Sequence, residues 1–366
     1  MYRRQASLGG HDGAVCGVAS NRGLHRSRSS PRAGCVRDAK RVASSWSLRC
    51  GGRVVVALNV VAIGGGHGLS ATLRAVRRYA DGICGVVTVG DDGGSTGRLR
   101  RAGWDVVPGD LRKTLVALAP PGSLLAAGLE HRFASGELAG HAAGNLLVGA
   151  MMQECDGDLI AVLDALGEAL GAVGRVLPAA VSPVTLLGET TSGWVRGQVE
   201  VAGRTDLVRL GFDPVDPEVP DAAVDAIVTA DQVILGPGSL YTSVLAAAAV
   251  PGIRRAVARS TAQVVYVANL ASHEAESEGY DVADHVAALT DHGLSPDAVL
   301  YDPDRLAGVA GLDTAVGGHL TATNLAVHDP ERLAEALAGL IGAPLGRVPE
   351  VSQSVQTGGV GAHLVP

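Results

Sequence analysis

The chain has 366 residues, 47% of them hydrophobic and 18% charged, which supplies core material for one large α/β domain with appendages, or two domains, and excludes a peptide-sized scaffold and wholesale disorder. Aromatic residues, at 3%, are too few for a protein that stacks bases, so no nucleic-acid partner is expected; no apolar run reaches the ~18 residues of a spanning helix, so no membrane insertion is expected either. The net charge of −7 is divided unevenly, about +9 over residues 1–53 and about −16 over the rest.

Residues 1–53 are rich in Ser, Gly and Arg and show no period of 2 or 3.6, which reads as a disordered basic extension outside the folded domain. Val54 to Ile63 is a β-branched run expected to form a strand buried on both faces. A glycine loop, residues 64–68, leads to a helix predicted over Leu69 to Ala80, and a second strand is predicted over Ile83 to Val89. Helices are expected over Leu111 to Leu118, Leu124 to Phe133, Gly144 to Met152 and Leu159 to Leu170. Short alternating runs near residues 181–212 predict an appended antiparallel segment. Parallel α/β signals then resume: a strand over Ala226 to Leu235, a glycine loop, a helix from Ser239, a strand over Val264 to Leu270 and a helix over Val282 to His292. The stretch 346–366 reads as a flexible tail. The fold class that follows is α/β: a Rossmann-like, three-layer parallel sheet with a small antiparallel addition, the domain proper spanning 54–345.

The chemistry is expected in the loops. Gly65, Gly66, His67 and Gly68 lie between a strand and its helix, where unpaired N–H groups and the positive helix end favour a phosphate. Gly66-x-Gly68-x-x-Ala71 also fits a dinucleotide fingerprint, on which alone a nicotinamide-dependent dehydrogenase would rest. After the second strand, Asp91, Asp92, Ser95 and Arg98 place carboxylates, a hydroxyl and a guanidinium in one loop able to bind hydroxyls or a metal, or merely to cap a helix. Asp110 and Arg112 offer the same pair of readings, and Asn145 is either a cap or an amide suited to a base or sugar. Gly236, Gly238 and Ser239 repeat the anion logic of the first glycine loop. Two such loops in one parallel sheet predict a ligand across the carboxyl ends of the strands, at a switch point. The five cysteines form neither a CxxC pair nor an even framework, which points to a reducing, cytoplasmic setting.

The ordered string IGGGHGLS, VTVGDDGGSTGRLR, VPGDLRK, EHRF, GHAAGNLL, GPGSLYTSV, VPGI and DHGL resembles the YvcK-type gluconeogenesis factors of the wider CofD-like family, from about Val54 to Asp302. The resemblance implies a Rossmann-like fold, UDP-N-acetylglucosamine as ligand, a part in cell shape and growth on gluconeogenic carbon, and no established turnover. It places Gly65, Gly66, His67 and Gly68 at the diphosphate, Asn145 and residues 236–239 nearby, and carries over Asn269, Glu276 and Tyr280. The chain departs from the family between Asn269 and Glu276, and again after Asp302, where Arg305 is the one cation in a stretch that is commonly Arg/Lys-rich. The expectation is therefore a regulator that binds a uridine nucleotide sugar, has no cofactor, catalytic residue or bound metal, and acts on a cell-wall precursor enzyme or as a homo-oligomer. The competing reading is a CofD-like transferase acting on a phospholactate-type substrate, with Asp91 or Asp92 holding Mg²⁺.

Overall fold

The computed structural model describes residues 49–50, 53–54, 57–101, 109–272, 274–322 and 327–341. The expectations for the basic segment, apart from residues 49, 50 and 53, and for the tail 346–366 lie outside these residues. Two short strands, β1 (Arg49–Cys50) and β2 (Arg53–Val54), pair antiparallel. The first strand of the main sheet, β3 (Asn59–Gly64), starts five residues later than the β-branched run predicts. At Asn59 the chain meets Gly82 on one side and, one residue on, Gln232 on the other.

From β3 the chain runs through α1 (Gly66–Val76) into β4 (Gly82–Val87), the expected β–loop–α–β unit. Helices α2 (Gly94–Arg101), α3 (Gly109–Leu118), α4 (Leu124–Glu130), α5 (Ala143–Glu154) and α6 (Leu159–Leu170) follow. The loop expected at 91–98 is thus half helix. Local chemistry sets several ends: Ser123 caps α4, Asp158 caps α6, and Gly171 closes α6 in the left-handed conformation at φ +63°.

Strand β5 (Arg175–Pro178) pairs with β4, and the antiparallel addition then appears where alternation predicts it. It comprises β6 (Thr185–Thr190), β7 (Gly193–Arg196), α7 (Gln198–Ala202) and β8 (Leu207–Asp213), with strand order β7-β6-β8. The run expected as one strand over 226–235 is divided: α8 (Asp221–Val228) takes its start and β9 (Gln232–Leu235) its end. Ala223 and Ile227, four residues apart, are fully buried on one helical face, so helical spacing overrode the apolar run.

The helix expected from Ser239 starts as a π-helix, Leu240–Leu245, continued by α9 (Ala246–Ala248) and then α10 (Pro251–Arg259). After β10 (Gln263–Val267) come α11 (Val282–Asp291), β11 (Ala298–Tyr301), β12 (Ala315–Gly317) and α12 (Pro330–Leu340). Strands β5, β11 and β12 are too short to show a period, whereas α10 and α12, each opening on a proline and burying one apolar face, were signalled but not among the expected elements.

The main sheet has seven parallel strands in the order β12-β11-β10-β9-β3-β4-β5. From β3 the chain moves outward through β4 to β5, then returns to the other side of β3 and moves outward from β9 to β12. The switch point therefore lies between β3 and β9. Val60, Val61, Ala62 and Ile63 are all at most 2% exposed, so β3 is covered on both faces. No described helix is long and apolar enough to cross a membrane.

Candidate functional site

Strand β3 ends in Gly64, and Gly65 caps α1 with extended backbone and no side-chain hydrogen bond. Gly66 has φ +64°, where a side chain is strained. A Cβ on Gly68 would stand 2.1 Å from the Pro237 carbonyl oxygen, and one on Gly238 would stand 3.6 Å from the Gly65 oxygen. The two glycine loops thus meet backbone to backbone at the switch point. That is the juxtaposition the sequence required, and it decides that both loops border one place.

They are not equivalent there. In the second loop the Gly236 amide donates to Ile63 O at 3.0 Å, and the Gly238 amide donates to Asn269 Oδ1 at 2.9 Å while Asn269 Nδ2 donates back to Gly238 O at 3.0 Å. Thr72 Oγ1 donates to Gly236 O at 2.9 Å. The amides of Tyr241 and Thr242 donate to Glu276 Oε1 at 3.0 and 3.4 Å. An internal carboxylate therefore sits at the start of the π-helix, where the sequence suggested an external anion. The second loop thus differs from the expected repeat of the first: its Gly238 amide is held by Asn269, and the Tyr241 and Thr242 amides by Glu276. Ser239 caps the π-helix without a side-chain hydrogen bond, and Tyr280 Oη lies 3.2 Å from Tyr241 Oη.

Glu276 is 3% exposed, its Oε2 has no partner, and burial raises its carboxyl pKa to about 7. The folded state holds this proton more tightly than the unfolded chain. Its stabilising contribution is therefore fully present below pH 4.5 and is lost as pH rises through about 7. Glu276→Gln keeps an acceptor for the two amides and removes the titration. The wild-type melting temperature should fall, relative to the variant, as pH rises through that window; parallel melting curves across it would contradict the assignment.

On the other side of the first loop, Asp110 opens α3. A Cβ on Gly65 would lie 2.7 Å from Asp110 Oδ2, and Lys113 Nζ donates to Asp110 Oδ1 at 3.0 Å. Asp91 accepts from the amides of Gly93 at 3.0 Å and Gly109 at 3.3 Å, and Thr96 Oγ1 also accepts from Gly109 at 3.3 Å. Asp92 turns away, accepting from Gln198 and Val199 amides at 3.0 and 3.1 Å, so it ties this loop to the antiparallel addition. Ser95 Oγ lies 3.1 Å from His141 Nδ1. Desolvation, then Arg98 and Arg132, lower the His141 pKa, which keeps the ring neutral at pH 7.

Arg98 is exposed and donates to Ala139 O at 3.3 Å, and His67 is also exposed. Arg112 is 4% exposed and donates to Asn145 Oδ1 at 3.0 Å, to Leu129 O at 3.0 Å and to Glu130 Oε1. Burial lowers its pKa, against the opposing effect of Glu130. The cation orients Asn145, whose amide nitrogen would be 3.8 Å from a Cβ on Gly109.

The structure therefore gathers Gly65, Gly66, Asp91, Asp110 and Asn145 around the start of α1, with Gly236 and Gly238 forming the facing wall. Thr88, Thr96, Lys113 and Ser243 belong to the same surroundings and were missed. A Cβ on Gly65 would be 2.9 Å from Thr88 Cγ2 and 3.5 Å from Ser243 Cβ. Ser243 and Thr242 carried a signal: two hydroxyls in an otherwise apolar helix, both buried. Elsewhere, Asp302, Asp304 and His319 offer metal-ligating atoms within 4.8 Å of one another. Asp302 already accepts from Asp304 and Leu320 amides at 3.1 and 2.8 Å, closing the loop after β11. A surface cavity of about 700 Å³ lies at the far end of α1, among Arg74, Arg77, Pro120 and Leu124.

Residues 60–317 match the family model for 2-phospho-L-lactate transferase CofD. The chain is 41% identical over 316 residues to a Mycobacterium leprae protein provisionally named a gluconeogenesis factor, covering 77% of this chain and 86% of that one. It is 41% identical over 250 residues to the gluconeogenesis factor of Halalkalibacterium halodurans, covering 66% of this chain and 77% of that one. A crystal structure of a UPF0052-family protein from Bacillus halodurans superposes with a TM-score of 0.72 at 33% identity, covering 77% of this chain and 99% of that one.

Proposed function

The chain belongs to the CofD family, and from that premise we propose that it is a regulatory protein of gluconeogenic growth that binds a uridine nucleotide sugar, UDP-N-acetylglucosamine, at the meeting of its two glycine loops. One observation carries this reading. The start of α1 bears no side-chain cap, whereas Glu276 takes two amides at the neighbouring π-helix start; that favours the α1 end for an anion, with Lys113 countering the Asp110 carboxylate beside Gly65. Gly65, Gly66, His67 and Gly68 bring their backbone to the diphosphate. Asn145, held by Arg112, offers an amide to the sugar or base. Regulation then requires the ligand to favour one state of the protein over another, and a cell-wall precursor enzyme is the partner class through which cell shape would respond.

Equilibrium binding checks the ligand. UDP-N-acetylglucosamine should bind more tightly than UDP-glucose, and Asn145→Ala and Gly66→Val should each weaken binding without unfolding the protein. No heat or spectral change at millimolar ligand would end this reading.

A second reading rests on Asp91 and Asp110. Their carboxylates flank Gly109 and Gly65, the chemistry a divalent cation needs, while Asp92 is consumed by α7. In a CofD-like transferase those two would hold the ion, which would neutralise phosphate charge during transfer. Incubation with a nucleotide-activated lactate derivative, a lactyl acceptor and Mg²⁺ should then give a product by mass spectrometry; an unchanged mixture across divalent metals leaves the regulatory reading alone.

A further inference from the structure

The connection between α4 and α5 closes on itself. Arg132 and Ala142 form an antiparallel bridge, the Phe133 amide donates to His141 O at 3.0 Å, and the Gly140 amide donates to Phe133 O at 2.7 Å. The Ala143 amide donates to His131 O at 2.8 Å, so the two ends of the loop are tied together. A backbone held this way presents its side chains with little freedom left to lose on binding.

Two exposed arginines from different elements are drawn onto that loop. Arg98, from α2, donates to Ala139 O at 3.3 Å, and Arg132 donates to Gly140 O at 2.6 Å. Gly140 has φ +77°, and a Cβ there would stand 2.8 Å from Arg98 Nη2, so the absent side chain is what lets the guanidinium lie against the turn. Both bonds run through Nη1. Among the described residues neither guanidinium has a carboxylate partner, Glu130 being taken by Arg112. In a chain of net charge −7, two like charges are thus gathered without an acid between them. Both charges bear on His141, whose Nδ1 lies 3.1 Å from the Oγ of the buried Ser95. With Ser95 donating to Nδ1, the ring proton sits on Nε2, a third donor beside the two forks.

We propose that Arg98, Arg132 and His141 form a subsite for one oxyanion, the phosphoryl or carboxylate group of a second ligand distinct from the one at the start of α1. A planar fork of donors matches paired oxygens on either group. Ser95 adjoins Thr96, which accepts from Gly109, and His141 leads into α5, which carries Asn145, so the subsite borders the glycine-loop site. The inference does not rest on what those loops bind.

Histidine side-chain NMR on the full chain tests it, with inorganic phosphate and acetate titrated separately and the His141 signal identified by its loss in His141→Gln. An anion that neutralises the two cations should raise the His141 pKa, since those cations help to hold it down. Arg98→Gln and Arg132→Gln should each weaken the anion by about tenfold or more, the typical contribution of a charged hydrogen bond. Arg132→Lys keeps a donor for Gly140 O, which serves if the loop needs that tie to fold, and should still bind more weakly than wild type. A response to phosphate alone assigns a phosphoryl group, and one to acetate alone a carboxylate. A His141 signal unmoved by millimolar phosphate and acetate overturns the proposal, as does a shift that chloride reproduces at equal ionic strength. An anion response lost in Gly66→Val but kept without Arg98 and Arg132 also overturns it, and puts the anion at the glycine loops.

Discussion

Gly68→Ala is expected to be the most damaging single-methyl substitution in the glycine loops. The new Cβ would stand 2.1 Å from the Pro237 carbonyl oxygen and 2.6 Å from its carbonyl carbon. Both are backbone atoms that no rotamer change can move. The facing loop is pinned on three sides, by Ile63, Thr72 and Asn269, so it has little room to retreat. The loss should reach or exceed the upper end of the roughly 1–3 kcal/mol typical of overpacking. Nucleotide-sugar binding should fall with it, since parting the loops displaces the start of α1. Gly339→Ala is the control. That glycine is exposed within α12, with nothing within 4 Å of an added Cβ, and the change should stabilise by about 0.5–1 kcal/mol. Urea unfolding separates the two, and equal midpoints would mean that the loops do not touch as described.

Arg112→Ala should have the second large effect. It leaves the Asn145 side-chain oxygen and the Leu129 carbonyl without their donor in the interior, and strips Glu130 of its partner. Each of the two buried acceptors left without a donor costs about 1–3 kcal/mol, and the half-exposed Glu130 adds little. Arg112→Lys should recover little, because one ammonium cannot reproduce a planar fork that reaches three acceptors. Glu130→Ala should also be costly, since it leaves the buried Arg112 guanidinium without its carboxylate. The informative variant is Arg112→Lys: it should remain folded yet bind the nucleotide sugar more weakly, since Asn145 loses the contact that orients it. Full affinity in that variant would remove Asn145 from the site.

Those two expectations show where reading residues in order stops. The strand-loop-helix character of residues 59–76 and the glycine loop at 236–238 were legible because β-branched runs and glycines act locally. The antiparallel addition was legible by its period of 2. Strands β5, β11 and β12 were not: each has only three or four residues, too short for a period, and forms because a neighbouring strand supplies the ladder.

At the candidate site the residue types were legible and their jobs were not. Asp92 read as a ligand group because a carboxylate in that loop could face either way, and Asn269 and Glu276 because the family resemblance carried them over. The fold points all three at backbone amides within the protein.

What the sequence determined by itself was a parallel α/β sheet, two glycine-rich strand-to-helix turns, and a family resemblance spread over eight blocks. These rest on periodicity and on the steric freedom of glycine, which act between near neighbours. That Asn269 and Glu276 take the Gly238, Tyr241 and Thr242 amides of the second turn was decided only in three dimensions. Glu276 lies more than thirty residues beyond the π-helix start it fills, and nothing nearer in the chain announces that pairing.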